Sequence, residues 1–349
     1  MIRSLGFNRT GWSLYSLSFL LLVGGASPAC VASTSIVALN TAELRTSPSA
    51  AVTWFGPEGL QDSESLMRWR GSVGPPVTSQ PAPDAHPHDA LTIVSWNTAV
   101  GDADVVRFVR SLPAGNRPLV LLLQEVCRGG PAVPTLLDLH AAFAGRLGAA
   151  GELHSRQIEE IGRELGLGVY YVPSMRNGGL TSDEDRGNAI LSSLPLSDLR
   201  AMELPFERQR RVVVAATLSG YASTGEPWSV RVVSAHLDNM GGAKRAWIGA
   251  EYGRARQARS LASLLDDNEP TILAGDFNTW FGFSDQAYAE TARAFPETQI
   301  TDRRPTFRGL LRLDHVFYRL APGWRAEFRR GPSRYGSDHY PLVGSLHFN

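Results

Sequence analysis

The sequence predicts an α/β fold built on mixed β-sheets. Short apolar runs, such as residues 271–274 and 118–123, are typical of strands that are buried on both faces. Such runs outnumber the segments with helical spacing, and several are separated by turns too short to hold a helix. The runs at 211–217 and 229–234 flank a turn and predict a hairpin. Because hairpins join antiparallel strands, we expect mixed rather than purely parallel sheets.

The remaining elements follow from local patterns. Residues 151–165 carry Ile158, Ile161 and Leu165 on one face, which is the spacing of an amphipathic helix. The predicted helices are 105–112, 151–165 and 254–266. The predicted strands are 91–95, 118–123, 169–172, 187–192, 211–217, 229–234, 271–274, 313–318 and 340–346.

The composition is that of an ordinary globular protein. The 349 residues are 43% hydrophobic and 19% charged, and the formal net charge at pH 7 is zero. No strong overall field therefore favours nucleic acid or an anionic membrane. The chain has two cysteines, Cys30 and Cys127, which excludes a disulfide framework.

The first 90 residues divide into an export signal and a linker. Residues 1–33 combine early arginines, an apolar centre and a small-residue cleavage site that ends at Cys30. This segment also resembles a bacterial lipoprotein box, although Ser27 stands where that pattern has an aliphatic residue. Secretion, a lipid anchor and an uncleaved membrane anchor remain open. Residues 34–90 are proline-rich and predict a linker with a short docking helix, and residues 91–349 are expected to form the main domain.

Polar side chains recur where the predicted strands begin or end. A carboxylate removed from water costs several kcal/mol unless it is paired or bound to a metal, so a shared cation site is the simplest explanation. Carboxylate and amide oxygens suit Mg²⁺, Mn²⁺ or Ca²⁺, whereas zinc would require more histidine or cysteine ligands. The residues are Asn97, Glu125, His236, Asp276, Asn278, Asp314, Asp338 and His339.

Seven short segments around these residues occur in an order found in a known family. They are Ser-Trp-Asn at 95–97, Gln-Glu at 124–125, Gly-Asn-Ala-Ile-Leu-Ser at 187–192, Ser-Ala-His-Leu-Asp at 234–238, Gly-Asp-Phe-Asn at 275–278, Leu-Asp-His at 313–315 and Gly-Ser-Asp-His at 336–339. Together they resemble the motifs of the endonuclease/exonuclease/phosphatase superfamily, the deoxyribonuclease I-like group. The resemblance implies a four-layer α/β sandwich, with two mixed sheets face to face, helices outside and the site at one edge.

The resemblance also implies roles for the acidic and amide residues. Glu125 is similar to the family's principal metal ligand, and Asn97 lies beside it to position metal or phosphate. Asp338 is expected to approach a second metal position. Asp276 resembles the residue that orients and polarises the attacking water, and Asn278 resembles the amide that steadies the transition state.

Two histidines and one further amide complete the predicted site. His339 resembles the histidine at the scissile phosphate, and Asp314 is expected to fix its tautomer and raise its basicity. His236 resembles a second histidine that aids protonation of the leaving group. Its carboxylate partner is not obvious from the sequence, and Glu207 is one candidate. Asn188 is expected either to face phosphate or to serve as a structural amide.

The resemblance therefore implies an enzyme that hydrolyses phosphoesters by in-line attack of a metal-polarised water. We expect the enzyme to be exported and monomeric. An endonuclease is favoured, because arginines are concentrated between residues 302 and 334, where they could track a DNA backbone. A solvated arginine-rich face is the alternative interpretation. Residues 280–283 contain three aromatic side chains that are interpreted as core packing or as a wedge for bases or lipid. The alternative functions are a sphingomyelinase-like or inositol-phosphate phosphoesterase and a non-catalytic binding relative.

Overall fold

Two sheets organise the part of the chain that is described in this computed structural model. That part comprises residues 36–38, 44–47, 50–57, 64–113, 115, 117–134, 156–177, 184–239, 248–265 and 268–348. The predicted export signal at residues 1–33 lies outside it. No helix among the described residues combines the length and the apolar character needed to cross a membrane.

The strands and helices alternate irregularly along the chain. The strands are β1 (Ile36–Ala38), β2 (Leu44–Ser47), β3 (Ala50–Pro57), β4 (Val77–Ser79), β5 (Ala90–Asn97), β6 (Leu119–Gly129), β7 (Gly168–Asn177), β8 (Glu184–Ser192), β9 (Ser197–Glu203), β10 (Val212–Tyr221), β11 (Pro227–His236), β12 (Thr271–Asp276), β13 (Asp314–Arg319), β14 (Arg325–Arg330) and β15 (Leu342–His347). The helices are α1 (Glu64–Gly71), α2 (Val105–Ser111), α3 (Ile158–Leu165), α4 (Ile248–Leu264) and α5 (Gln286–Ala294).

Both sheets are mixed, as the hairpin patterns predict. The first sheet has the order β1-β3-β9-β10-β11-β12-β13, with β2 paired to β3, and the second has the order β14-β15-β5-β6-β8-β7-β4. Strands β11 and β12 are parallel, and so are β5 and β6. The predicted hairpin is present, because β10 and β11 pair antiparallel. The two parallel pairs bring the carboxyl ends of their strands together at one edge of each sheet.

The hydrophobic clusters confirm the four-layer arrangement. Side chains of both sheets, among them Ile93, Val214 and Ile272, pack together in one central cluster. A second cluster joins the outer face of the second sheet to α2 and α3, and a third joins the outer face of the first sheet to α4 and α5. The molecule is therefore a sandwich of helix, sheet, sheet and helix layers, in which both sheets are covered on both faces.

The segment before residue 91 does more than link. Strand β3 pairs with β9 in parallel, and Val52 is fully buried in the central cluster. Strand β4 pairs with β7, and α1 buries Leu66 as the predicted docking helix should. The linker interpretation missed β3 because the strand overlaps residues 47–54, whose composition is typical of a linker.

After residue 91, two strands are not predicted by the sequence patterns, and a third is longer than predicted. Strand β9 contains charged residues, and β14 reads as an arginine-rich surface although its side chains alternate between exposed and half-buried. Strand β6 continues beyond the predicted end at residue 123 to Gly129. Strand β14 lies at the edge of its sheet and need not be apolar, so hydrophobic periodicity does not reveal it. Strand β9 lies inside its sheet, but Asp198, Arg200 and Glu203 interrupt its apolar pattern.

We predict that Gly275→Ala destabilises the protein by about 1–3 kcal/mol or more, because the added methyl group meets packed backbone. A Cβ at this position would lie 1.8 Å from the carbonyl oxygen of Ala235 on the neighbouring strand β11, and the Gly275 φ is +154°. Urea unfolding measures the change. The matched control is Gly71→Ala at the end of α1, where a Cβ meets nothing within 4 Å. Equal unfolding midpoints for the two variants would contradict the argument.

Candidate active site

The register of the strands brings the polar residues to one end of the sandwich. In the first sheet, His236 pairs with Asp276, and Asp276 pairs with Asp314 on the next strand. In the second sheet, Asn97 ends β5 beside Gln124 of β6. These residues lie where the carboxyl ends of the parallel strands meet, so the backbone alone places them around one cleft.

The carboxylate of Asp276 lies at the centre of this cleft and is 2% exposed. Its Oδ2 accepts a hydrogen bond of 2.9 Å from Nδ2 of Asn97, which belongs to the other sheet. The same oxygen lies 3.5 Å from Nε2 of His236 and 3.8 Å from Nε2 of His339. Its Oδ1 accepts a bond of 2.8 Å from the backbone N–H of Asn278. Four of the predicted site residues thus surround the fifth.

His339 forms a buried pair with Asp314, as predicted. Nδ1 of His339 lies 2.8 Å from Oδ2 of Asp314. Burial alone would lower the pKa of His339, but Asp314 and Asp276 outweigh that effect and raise the pKa to about 10. The imidazole is therefore a cation at neutral pH, with its Nε2–H turned toward Asp276.

Contacts from β5 and from a nearby turn hold His339 in place. The indole of Trp96 donates a hydrogen bond of 3.0 Å to the His339 carbonyl, and Oγ of Ser337 donates one of 2.7 Å to the Asn97 carbonyl. The ring of Phe307 lies 4.9 Å from the His339 ring. The last turn of the site is therefore bound to the end of β5.

Glu125 lies at the mouth of the cleft, within β6 and not at its end as predicted. The pairing of β6 with β8 shifts register between Leu123 and Val126, and Glu125 takes the left-handed φ of +56°. The bulge turns its carboxylate toward the cleft, where Oε1 lies 3.8 Å from Nε2 of His236. A non-glycine residue in this conformation at a cluster of polar groups is typical of a functional position.

The partner of His236 is an arginine and not a carboxylate. NH1 of Arg211 lies 3.1 Å from Nδ1 of His236, whereas Glu207, the candidate from the sequence, pairs with Arg256. Burial, and then the cationic Arg211, lower the pKa of His236 well below its usual value. A neutral imidazole does not fit the predicted role as an acid that protonates the leaving group, so that role needs revision.

The side chains of Asn278, Asn188 and Asp338 contact groups other than Asp276. Asn278 has a positive φ of 50°, and its Nδ2 donates a hydrogen bond of 3.0 Å to the Leu237 carbonyl. Nδ2 of Asn188 donates one of 2.8 Å to the Val212 carbonyl on the opposite sheet, which is the structural contact that the sequence analysis had kept open. Asp338 is half-exposed, and its Oδ1 lies 3.8 Å from Nε2 of His339.

The donor set fits a divalent cation. One oxygen of Asp276, one of Asp314 and one nitrogen of His339 lie within 4.8 Å of one another. Because the protonated His339 has no free lone pair, only the two carboxylates of this cluster can serve as ligands. Oδ1 of Asp314 is buried and has no hydrogen-bond partner among the described residues. Burial raises the pKa of Asp276 to about 7, even though His339 lowers it, so further positive charge in the cleft would stabilise its ionised form.

This cluster differs from the ligand set that the sequence predicts. The predicted metal ligands are Asn97, Glu125 and Asp338. Asn97 is as buried as Asp276, whereas the side chains of Glu125 and Asp338 are partly exposed. Hard oxygen donors predominate in both sets, which suits an oxygen-seeking cation better than zinc.

Arg211 is the contact residue that sequence reasoning missed. Its only signal was its place among charged residues before an apolar strand, which also describes an ordinary surface arginine. Arg186 was missed as well; its NH1 lies 3.9 Å from Oε2 of Glu125. A tertiary contact between strands that are distant in sequence leaves no local pattern.

The arginines between residues 302 and 334 do not form one surface. Arg308 and Arg334 are exposed and flank the turn that carries His339. Arg319 donates hydrogen bonds to backbone carbonyls of the first sheet's helical layer, and Arg330 donates one to the Pro305 carbonyl. The solvated-face interpretation therefore holds for some of them, and Arg308 and Arg334 border the site.

The sequence is similar to a known family and to several curated proteins. A model of the "Endonuclease/Exonuclease/phosphatase family" matches residues 94–339. A UPF0294 protein of Vibrio cholerae is 36% identical over 111 residues, which are 28% of this chain and 36% of that protein. A UPF0294 protein of Vibrio parahaemolyticus is 33% identical over 144 residues, or 40% of this chain and 47% of that protein. The chain thus spans less than half the length of these curated relatives.

The fold is similar to that of a solved structure. The crystal structure of an endonuclease/exonuclease/phosphatase from Beutenbergia cavernae DSM 12333 superposes with a TM-score of 0.51 at 19% sequence identity. The match covers 74% of this chain and 72% of that one.

We predict that Asp314→Asn returns the pKa of His339 toward its ordinary 6.5 from about 10, because the variant removes the bonded negative charge. A histidine whose pKa is raised on folding stabilises the fold fully below the unfolded pKa, and this contribution is lost as the pH rises through the folded pKa. The wild type should therefore lose stability between pH 6.5 and 10 more steeply than the variant.

An NMR titration of the imidazole in EDTA measures the pKa. Asp338→Asn, at a half-exposed carboxylate 3.8 Å away, is the control and should shift it less. An unchanged titration in Asp314→Asn would contradict the pairing.

Proposed function

Because the chain belongs to the endonuclease/exonuclease/phosphatase family, we propose that it is an exported, metal-dependent phosphodiesterase that cleaves DNA internally. Members of this family are generally hydrolases that act on phosphoesters. The observation that supports the proposal most is the convergence of Glu125, His236, Asp276 and His339 on one cleft from positions spread over more than half of the chain. A non-catalytic binding protein has no need of this charge arrangement.

Each side chain has a task in this proposal. Glu125 and Asn97 would hold Mg²⁺, or Mn²⁺ or Ca²⁺ in its place, with Asp338 near a second position. The bound cation would withdraw charge from the phosphoryl oxygens. Asp276 accepts hydrogen bonds on both oxygens, so in the proposed reaction it orients a water for in-line attack. The cationic His339 faces the negative charge that develops on the phosphoryl group.

DNA is the favoured substrate class in the proposal. Arg308 and Arg334 are exposed beside the cleft, and Arg308 also stacks over Phe307 at 5.1 Å. Guanidinium groups there can bind backbone phosphates on either side of the bond that is cleaved. The proposal includes export through residues 1–33, membrane contact only through a lipid anchor at Cys30, and action as a monomer.

A phospholipid phosphodiesterase of the sphingomyelinase type is the second candidate. This function requires an exposed apolar contact for the membrane, and two large side chains near the site supply one. Leu310, at the tip of the turn that carries Phe307, is 80% exposed, and Phe281 is 51% exposed. Core packing therefore does not explain Phe281. Turnover of plasmid DNA, sphingomyelin and inositol phosphates, each with and without EDTA, distinguishes the candidates.

We predict that His339→Ala and Glu125→Gln each lower turnover of bis(p-nitrophenyl) phosphate by about 100-fold or more. The first variant removes the positive charge that faces the reacting phosphate, and the second removes the carboxylate proposed to hold the metal. The assay is run with Mg²⁺ or Mn²⁺, and EDTA should abolish the activity. Glu327→Gln on β14, whose side chain is 56% exposed, is the matched control and should keep wild-type turnover. Wild-type turnover in either site variant would contradict the assignment of this cleft as the active site.

We predict that the double variant Arg308→Ala/Arg334→Ala weakens DNA binding and lowers the slope of log affinity against log salt concentration by about 2, one phosphate contact for each arginine. Fluorescence anisotropy with a DNA duplex in Ca²⁺ measures the slope. Arg325→Ala/Arg329→Ala removes the same charge from β14 and serves as the control. Equal slopes for the two double variants would remove the reason for favouring DNA.

A further inference from the structure

Arg211 is a buried arginine in direct contact with the ring of His236. It precedes β10 and is 4% exposed, and its NH1 lies 3.1 Å from Nδ1 of the imidazole. Its NH2 donates a hydrogen bond of 2.7 Å to Oε1 of Gln209. The guanidinium is thus held on the side of the ring that faces away from the carboxylates of the cleft.

The chemistry of the two groups leaves one arrangement of protons. A guanidinium has five N–H donors and no acceptor, and it stays charged at any pH at which proteins fold. Nδ1 of His236 must therefore accept the hydrogen bond, which it can do only without a proton. In a neutral imidazole the single proton then resides on Nε2.

That proton points into the cleft. Nε2 of His236 lies 3.5 Å from Oδ2 of Asp276 and 3.8 Å from Oε1 of Glu125. Both are acceptors at longer than hydrogen-bond distance, so the N–H is directed at the space between them. A carboxylate partner would instead have favoured the tautomer with its proton on Nδ1, which leaves Nε2 free to take up or release a proton.

We propose that Arg211 is a positioning residue that fixes His236 in the Nε2–H tautomer. His236 then serves as a neutral hydrogen-bond donor in the cleft. The catalytic role of this donor rests on the proposed phosphodiester hydrolysis. In that reaction, the Nε2–H of His236 donates a hydrogen bond to a phosphoryl oxygen, and His236 does not transfer a proton to the leaving group. The tautomer itself follows from the contact with Arg211 and can be measured without any substrate.

The test is ¹⁵N NMR of the histidine rings in the full chain, in EDTA and with Mg²⁺, with His236 assigned by His236→Gln. We expect the wild type to show Nδ1 unprotonated and Nε2 protonated. Arg211→Met has similar length but no donor, and it should lose this signature and show mixed tautomers. Arg211→Lys retains a donor and should retain the signature. Arg325→Met, at an exposed arginine of β14, is the control and should leave the signature unchanged.

Activity supplies the second readout. Arg211→Met should lower kcat toward bis(p-nitrophenyl) phosphate by about 10-fold or more, as the loss of a residue that orients an active-site ligand does elsewhere, and Arg211→Lys should recover part of it. KM should change little, because the ground-state contacts remain. Unfolding curves show whether Arg211→Met still folds, and the lysine variant keeps the test valid if it does not.

The outcomes separate the two proposals. A protonated Nδ1 in the wild type, or an unchanged signature in a folded Arg211→Met, overturns the inference whatever the activity. The expected signature in a protein that hydrolyses no phosphodiester overturns the proposed function and leaves the tautomer assignment standing.

Discussion

The buried carboxylate of Asp276 is the interaction on which the site depends. It receives hydrogen bonds from Asn97 of the second sheet and from the backbone of Asn278, and two histidines face the same oxygen. A carboxylate removed from water costs several kcal/mol unless such partners are present. Because its partners come from both sheets, the group also ties the two halves of the sandwich together at their common edge.

The two histidines beside this carboxylate differ in charge. His339 is held as a cation by Asp314, and His236 is held neutral beside Arg211. Two imidazoles a few ångströms from the same carboxylate therefore differ in charge because their partners differ in sign. The cleft therefore contains the positively charged imidazole of His339, the neutral imidazole of His236 and several carboxylates. This combination is suited to binding a metal cation together with a phosphate group.

The sequence predicts this arrangement only as far as local pattern reaches. Strand ends such as Asn97 and Asp276 were found because apolar runs stop there, and the link between His339 and Asp314 came from the resemblance to the family. The bulge at Glu125 was not found, since one extra residue within a strand does not alter the apolar pattern. The contact of Arg211 with His236 was not found either, because it joins residues 25 positions apart through the folded sheet. Rim strands such as β14 are charged and were read as surface.

Anomalous scattering from a crystal soaked in Mn²⁺ shows whether a divalent cation binds beside Asp276. We expect a Mn²⁺ peak in the cleft, within about 2.5 Å of a carboxylate oxygen of Glu125 or Asp276. A map at saturating Mn²⁺ with no peak in the cleft, or with peaks only on the outer surface, would contradict it.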